Sequence, residues 1–284
     1  MATQRKVTLR AQWLGKTFRE LRERNGMTLK EVAEYLQRDI SSVSRLESGV
    51  HPLRRADVIA LMDLYGVEEH HQRSAMLQMG DEVSKTGWWE KHSKDVSDWV
   101  IDAVWLESRA ERLRIFSIAT VPGLLQTREY AEALIRAVNP YAPKQQIKRW
   151  VELRLTRQEL LNKENTFNFS VVVDEAALRR PIGGGEVMAA QTQRLIADAQ
   201  RDNVEIRVLP FAGGAHCSPE GAFTLITLPE PFPEVAHIES PVGALYAEAT
   251  GAEELAERYD RIWTNSLDLS ESLRFLSALE REWS

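Results

Sequence analysis

Cysteine is almost absent from this chain, and its scarcity removes several structural options. The 284 residues contain one cysteine, Cys217, which cannot form an intrachain disulfide. The six histidines are scattered without the spacing of a zinc finger, so we predict neither a metal site nor a cofactor. The fold is therefore expected to depend on the packing of a hydrophobic core.

Long hydrophobic runs are also missing. No window approaches the roughly eighteen apolar residues of a membrane-spanning helix, and we expect no membrane association. The amino end has basic residues but no apolar stretch followed by a cleavage site, so we predict no secretory signal and a cytoplasmic protein. The hydrophobic fraction of 43% and the charged fraction of 27% are typical of globular proteins. At this length, two folded domains are the default expectation.

Positively charged residues are outnumbered by negatively charged ones over the whole chain, but they are concentrated at the amino-terminal end. The formal net charge is −6, yet residues 1–60 contain twelve Lys or Arg against seven Asp or Glu, a local net charge of +5. The remaining 224 residues therefore carry −11. A basic amino-terminal segment before an acidic body is typical of a nucleic-acid-binding module fused to a domain with another task.

The amino-terminal residues show the periodicity of short amphipathic helices. Thr28 and Glu31 match a capping box, and Asp39 is suited to cap the helix that follows. Asn25-Gly26 and Gly49 are suited to end helices. Five helices are predicted, at 11–24, 28–36, 40–48, 56–65 and 68–79.

These segments resemble the Xre/Cro family of helix-turn-helix regulators. The family's Leu-Arg pair, its Thr-x-x-Glu-Val-Ala helix start and its serine-rich recognition helix stand here as residues 21–22, 28–33 and 41–49. The resemblance implies a lambda-repressor-like all-α fold, with Glu47 paired to Arg22. Two positions depart from the pattern: Gln37 replaces a turn glycine, so a non-glycine must adopt a left-handed backbone, and Leu29 replaces a phosphate-contacting glutamine.

The helix at 40–48 is the predicted recognition helix, whose first turn would face base edges in the major groove of double-stranded DNA. Ser41, Ser42 and Arg45 are the candidate base contacts. Arg45 can bind a guanine bidentately or clamp a phosphate, and the sequence leaves both roles open. Seven neighbouring residues are predicted to contact phosphates: Thr28, Lys30, Arg38, Ser44, His51, Arg54 and Arg55.

Half of the tryptophans lie at the end of this domain or just after it. We predict a helix-turn-helix domain at 1–80, a tryptophan-rich linker or interdomain seam at 81–104 and a larger domain at 105–284. The aromatic run indicates either a buried seam or an exposed surface for a partner or a second copy. It consists of Trp88, Trp89, Trp99 and Trp105.

The larger domain is predicted to be α+β, with a mixed sheet and flanking helices. Helices are expected at 105–116, 128–138, 144–162, 186–201, 252–266 and 270–282, and strands at 167–173, 204–209, 222–228, 235–238 and 244–249. We find no set of residues with the spacing of a catalytic site. Asp174-Glu175 is better explained as a helix start, the triple glycine at 183–185 as a turn, and His216-Cys217 as a loop. We therefore expect no enzymatic activity.

Residues 121–127, 174–184, 209–216 and 221–224 resemble the large domain of WhiJ-like, antitoxin-like regulators of actinobacteria. The resemblance implies a nucleoid-associated transcription factor whose large domain binds a small acidic partner protein or a signal. We expect a homodimer, because one short recognition helix reads few base pairs and two half-sites are the usual remedy. Two alternatives stay open: a ligand-sensing regulator with an enzyme-derived large domain, and an antitoxin that masks a partner protein.

Overall fold

The computed structural model describes residues 7–85, 87–92, 95–162 and 167–284. The chain forms two compact units, one comprising Met1–Glu90 with Glu230–Phe232, and the other comprising Lys91–Pro229 with Pro233–Ser284. The division falls inside the predicted linker. Part of that linker is helical, because the last helix of the first unit extends to Ser84 and a further helix begins at Asp98.

The first unit contains the five expected helices. They are α1 (Leu9–Arg24), α2 (Leu29–Tyr35), α3 (Ile40–Glu47), α4 (Arg55–Leu64) and α5 (His70–Ser84). Each contributes apolar side chains to one core, in which Leu14, Val32, Val58 and Met62 are completely buried. Packing against this core explains why the short helices are stable, since helices of seven or eight residues are marginal without tertiary packing.

Helix α1 crosses the end of α3 at very short range. A Cβ atom at Gly15 would lie 2.5 Å from the Glu47 carbonyl oxygen, so only glycine fits this crossing. At the loop after α3, Gly49 has a φ of +73°, and a Cβ there would lie 2.7 Å from the Gln12 amide nitrogen. These contacts fix the carboxyl end of α3 against α1.

The second unit contains seven α-helices and six strands among its described residues. The helices are α6 (Asp98–Arg109), α7 (Arg128–Val138), α8 (Lys144–Arg157), α9 (Glu175–Arg179), α10 (Gly185–Asp198), α11 (Thr250–Asn265) and α12 (Leu269–Trp283). The strands are β1 (Arg112–Ser117), β2 (Asn168–Asp174), β3 (Val204–Leu209), β4 (Phe223–Thr227), β5 (Val235–Ser240) and β6 (Gly243–Ala247). They form one sheet in the order β3-β2-β1-β4-β5-β6.

The sheet is mixed, as expected for an α+β domain. Strands β1, β2 and β3 are parallel, whereas β4, β5 and β6 continue the sheet in antiparallel pairs. Phe116, Val172 and Leu225 on one face pack against Tyr259 and Ile262 of α11. The opposite face carries Ile115, Thr224 and Ile226, and it lines a cavity together with α6 and α8.

The predicted helix at 105–116 is wrong. Helix α6 begins earlier, at Asp98, and stops at Arg109, after which β1 occupies the centre of the sheet. Residues 112–116 alternate two arginines with Leu113, Ile115 and Phe116, and their backbone pairs with β2 on one side and β4 on the other. Pairing with strands that lie more than fifty residues later in the sequence overrides the helical propensity of the segment. The first strand therefore begins at Arg112, before the strand expected at 167. No helix in the described ranges is long and apolar enough to cross a membrane.

Candidate nucleic-acid interface

Helices α2 and α3 and the four residues between them form a helix-turn-helix. The Thr28 hydroxyl accepts a hydrogen bond from the Glu31 amide at 3.3 Å, and the Glu31 carboxylate accepts one from the Thr28 amide at 2.7 Å. This confirms the predicted capping box. Gln37 has a φ of +52°, so the turn uses a left-handed non-glycine residue, as its sequence position predicted.

Asp39 begins the recognition helix and holds the first turn together. Its carboxylate accepts hydrogen bonds from the Ser42 amide at 2.8 Å, from the Ser42 hydroxyl at 2.6 Å and from the Ser41 hydroxyl. These bonds, led by that from Ser41, hold the pKa of Asp39 well below its ordinary value. Both serine hydroxyl protons are therefore engaged by Asp39, which leaves the hydroxyl oxygens able to act only as acceptors.

A buried ion pair fixes the other end of the recognition helix. Arg22 of α1 donates to both Glu47 carboxylate oxygens, at 2.7 and 3.1 Å, and their side chains are only 11% and 9% exposed. Arg22 also donates to the Met27 carbonyl at 2.9 Å. The predicted pairing is confirmed, and Glu47 stabilises the position of α3 rather than facing outward.

The outward face of α3 is short and uncharged except for one arginine. Ser41 and Ser44 are exposed, and the Arg45 side chain is 43% exposed. Arg45 donates weakly to the Ser42 hydroxyl at 3.3 Å and lies 3.9 Å from an Asp39 oxygen, so its guanidinium keeps donors for a base or a phosphate. The sequence reasoning missed Ile40, which is 48% exposed at the first position of the helix and is suited to contact a thymine methyl group.

The predicted phosphate contacts differ in whether their charge is already paired. Arg54 and His51 are exposed, and the ion-pair partner of Lys30 within the described ranges is the distant Glu34 at 3.9 Å. Two arginines instead form ion pairs: Arg38 with Asp57 at 2.6 Å and Arg55 with Asp81 at 2.9 Å. A carboxylate at this distance competes with a phosphate for the same guanidinium.

The four tryptophans of the predicted seam occupy three environments. Trp88 and Trp89 lie on a short 3-10 helix at Trp88–His92, with their ring centroids 5.9 Å apart. Trp99 is partly buried on α6 and its carbonyl accepts a hydrogen bond from the Tyr246 hydroxyl at 3.0 Å. Trp105 is 1% exposed inside the second unit, so a partner could not reach it without rearrangement.

Three residues of the second unit that the sequence singled out as possible sites of chemistry have structural partners. Asp174 caps α9 by accepting from the Ala176 amide at 2.8 Å, and Glu175 pairs with Arg179 at 2.6 Å. The Cys217 thiol donates to the Arg258 carbonyl at 3.4 Å. Within the described ranges, no three His, Cys, Asp or Glu side chains are arranged to hold a metal ion.

The fold and this surface define a protein with a helix-turn-helix DNA-binding domain and a larger α+β domain. Residues 13–75 match the family described as "Helix-turn-helix domain", and residues 100–278 match "Domain of unknown function (DUF5753)". The second match spans more than half of the chain, and the chain belongs to the family that this domain defines. No curated protein and no solved structure matches the chain significantly.

Proposed function

We propose that this protein is a sequence-specific transcriptional regulator of the Xre/Cro type that reads the major groove with the exposed face of α3. The observation that supports this proposal most strongly is that both ends of α3 are held in place. The Asp39 cap orders its first turn, and the buried Arg22–Glu47 pair together with Gly15 holds its last turn on α1. A helix held in this way presents Ser41, Ser42 and Arg45 in one arrangement, which base recognition requires.

The protein is proposed to act as a homodimer on two half-sites. The outward face of α3 spans about two turns of helix, so one copy can contact only a few base pairs. A second copy, with its α3 one DNA turn away, would double the contacts and multiply the specificity. This part of the proposal predicts a pseudo-palindromic operator.

We also propose a regulatory rather than catalytic role for the second unit. Its resemblance to the WhiJ-like, antitoxin-like regulators of actinobacteria supports binding of a small acidic partner protein or of a signal. The contacts of Asp174 and Glu175 support the non-catalytic part of this proposal, since both carboxylates are engaged at the start of α9.

The DNA-binding proposal is tested by exchanging single cations in the full-length protein. An operator is first selected from a random duplex library, and affinities are then measured for operator and scrambled duplex over a range of salt concentrations. Arg45→Ala should lower the ratio of the two affinities by about 5- to 150-fold, because a bidentate base contact contributes about 1 to 3 kcal/mol of discrimination. Lys30→Ala should weaken binding to both duplexes equally and reduce the salt slope by about one.

Arg136→Ala is the matched control. Arg136 is an exposed arginine of α7 in the second unit, paired with Glu132 at 2.6 Å, and its removal makes the same change in net charge. It should leave both affinities unchanged. Selection of no preferred duplex by the wild-type protein would overturn the proposed function, and an equal loss of specificity in the Arg45 and Lys30 variants would overturn the division of roles.

A further inference from the structure

The second unit contains a cavity of about 840 Å³, within the range of small-molecule sites. It lies between α6, α7, α8 and the sheet face opposite α11, with the loop at 121–126 on one side. Most of the wall is apolar. The sheet contributes Ile115 and Ile226, and the helices contribute Val100, Ile135 and Trp150.

Two of the ion pairs in the cavity wall are complete. Arg157 donates to both oxygens of Glu107, with one N–O distance of 2.8 Å, and the side chains are 18% and 13% exposed. Asp95 is bonded to Arg149 at 2.9 Å. Their charges are mutually compensated, so neither pair requires a ligand.

Arg154 is different, because it is a partly buried cation with no carboxylate in ion-pair contact among the described residues. In the described part of the chain, no Asp or Glu oxygen lies within ion-pair distance of its guanidinium. One terminal nitrogen donates to the Gln126 amide oxygen at 3.2 Å, and no group in the ranges that the structure describes bonds to the buried Nε atom. Burial, followed by the nearby charge of Arg157, lowers the pKa of Arg154 to about 10. The more distant carboxylates of Glu239 and Glu107 offset only part of the cost of burying this charge, and an anion in the cavity would offset more of it.

Two further polar groups support a built site. His237 of β5 lines the cavity and is 7% exposed, and its buried Nε2 atom has no hydrogen-bond partner among the described residues. Gln126 is held in one orientation, because its amide nitrogen donates to the Val121 carbonyl at 2.7 Å while its oxygen accepts from Arg154. The remaining charged group of the wall, Glu239, is exposed to solvent.

We propose that this cavity binds a small organic acid, a molecule with one carboxylate that pairs with Arg154 and an apolar body that fills the space between Ile115, Ile226 and Trp150. A guanidinium fork matches a carboxylate bidentately, and the apolar wall gains from covering a hydrophobic body. Binding itself is independent of DNA recognition. The assignment of the acid as the regulatory signal of the protein rests on the proposed function.

The test compares acids with neutral analogues of the same shape. Octanoate is paired with octanol, and naphthoate with naphthylmethanol, and each is titrated into the full-length protein by calorimetry and thermal shift at millimolar concentrations. We expect at least one acid to bind with one-to-one stoichiometry and about tenfold more tightly than its alcohol, since a charge-assisted bond is the difference between them. Arg154→Gln should abolish that tenfold preference while still binding the alcohol.

Lys148→Gln is the matched control, because Lys148 is an exposed cation on the same helix that does not line the cavity. It should keep the preference for the acid. Circular dichroism and thermal melting establish that the Arg154 variant is folded, and Arg154→Lys, which retains the charge, should recover part of the preference.

Three results would overturn the proposal: no acid binds, acids and alcohols bind equally, or the folded Arg154→Gln variant retains the preference for the acid. A protein that binds the acid but selects no duplex would refute the DNA-binding function while leaving the ligand site intact. A protein that selects a duplex but binds no acid would refute the ligand site while leaving the DNA-binding function intact.

Discussion

Replacing Glu47 by alanine should destabilise the recognition helix without removing a contact to DNA. The change removes both Glu47 oxygens from the Arg22 guanidinium, whose side chain is only 11% exposed; its Nε atom loses its acceptor, and one terminal nitrogen keeps only the longer bond to Glu23 at 3.3 Å. Removing one partner of a buried ion pair costs about 3 to 5 kcal/mol. We expect the lower value, about 3 kcal/mol, because Arg22 keeps the Met27 carbonyl at 2.9 Å.

The effect is measured by hydrogen exchange of peptides from the first unit, which separates local opening from unfolding of the second unit. A loss of about 3 kcal/mol should raise the opening constant of the α3 amides by roughly a hundredfold. Glu20→Ala is the control, because Glu20 is a half-exposed glutamate of α1 whose only ion-pair partner in the described residues, Arg24, lies at 4.0 Å. It should leave the protection of α3 unchanged.

A double variant, Arg22→Met with Glu47→Met, separates the ion pair from the packing around it. Replacing both partners with apolar groups of similar volume should recover most of the lost protection. Under conditions where each variant is fully folded, the operator affinity per folded molecule should equal that of the wild-type protein. A single Glu47→Ala variant with wild-type protection of α3, or one that stays folded but loses operator preference, would refute the assignment of Glu47 as an internal brace.

Three other changes test separate parts of the structure. Gly15→Ala should lower the stability of the first unit by about 2 kcal/mol in urea unfolding, because the new methyl group would meet the α3 carbonyls at 2.5 Å; unchanged stability would show that this crossing adjusts freely. Asp57→Asn should release Arg38 for phosphate contact and steepen the salt slope of DNA binding by about 0.9, whereas an unchanged slope would show that Arg38 does not reach DNA. Burial lowers the pKa of His237, so the folded protein favours the neutral imidazole. The melting temperature should therefore be highest above about pH 6.5, the ordinary histidine pKa, and should fall as the pH drops below it. His237→Gln should flatten this dependence, and an unchanged dependence would show that other groups cause it.

The sequence predicted the helix-turn-helix in detail because its determinants are local. The capping box of Thr28 and Glu31, the Asp39 cap and the left-handed turn at Gln37 each involve residues within three or four positions of one another. Such interactions are encoded by residue type and spacing. The left-handed turn at Gln37 and the Arg22–Glu47 pair were instead predicted from family resemblance, and the pair spans 25 positions.

The features that the sequence did not reveal depend on partners far away in the chain. Strand β1 was predicted as part of a helix because its pairing with β2 and β4 involves residues more than fifty positions later. Gly15 gives no signal of its own, since its requirement comes from the carbonyls of α3. The partner of Arg38, Asp57, lies in the next helix but one, and its carboxylate also accepts from the Arg54 amide at 3.2 Å. Local patterns report propensity, whereas these contacts are set by tertiary packing.

Charge pairing in the first unit bears on the proposed dimer. Five lysines and arginines were predicted to face DNA, and two of them, Arg38 and Arg55, are bonded to carboxylates in the free protein. Lys30, Arg45 and Arg54 remain for phosphates or bases, so one copy would neutralise about three phosphates. Each phosphate contact displaces condensed counterions, and three such contacts supply only weak binding at physiological salt. Because the rest of the chain is acidic, a second basic amino-terminal domain would add to this attraction, which is the physical reason why we propose two copies on one operator.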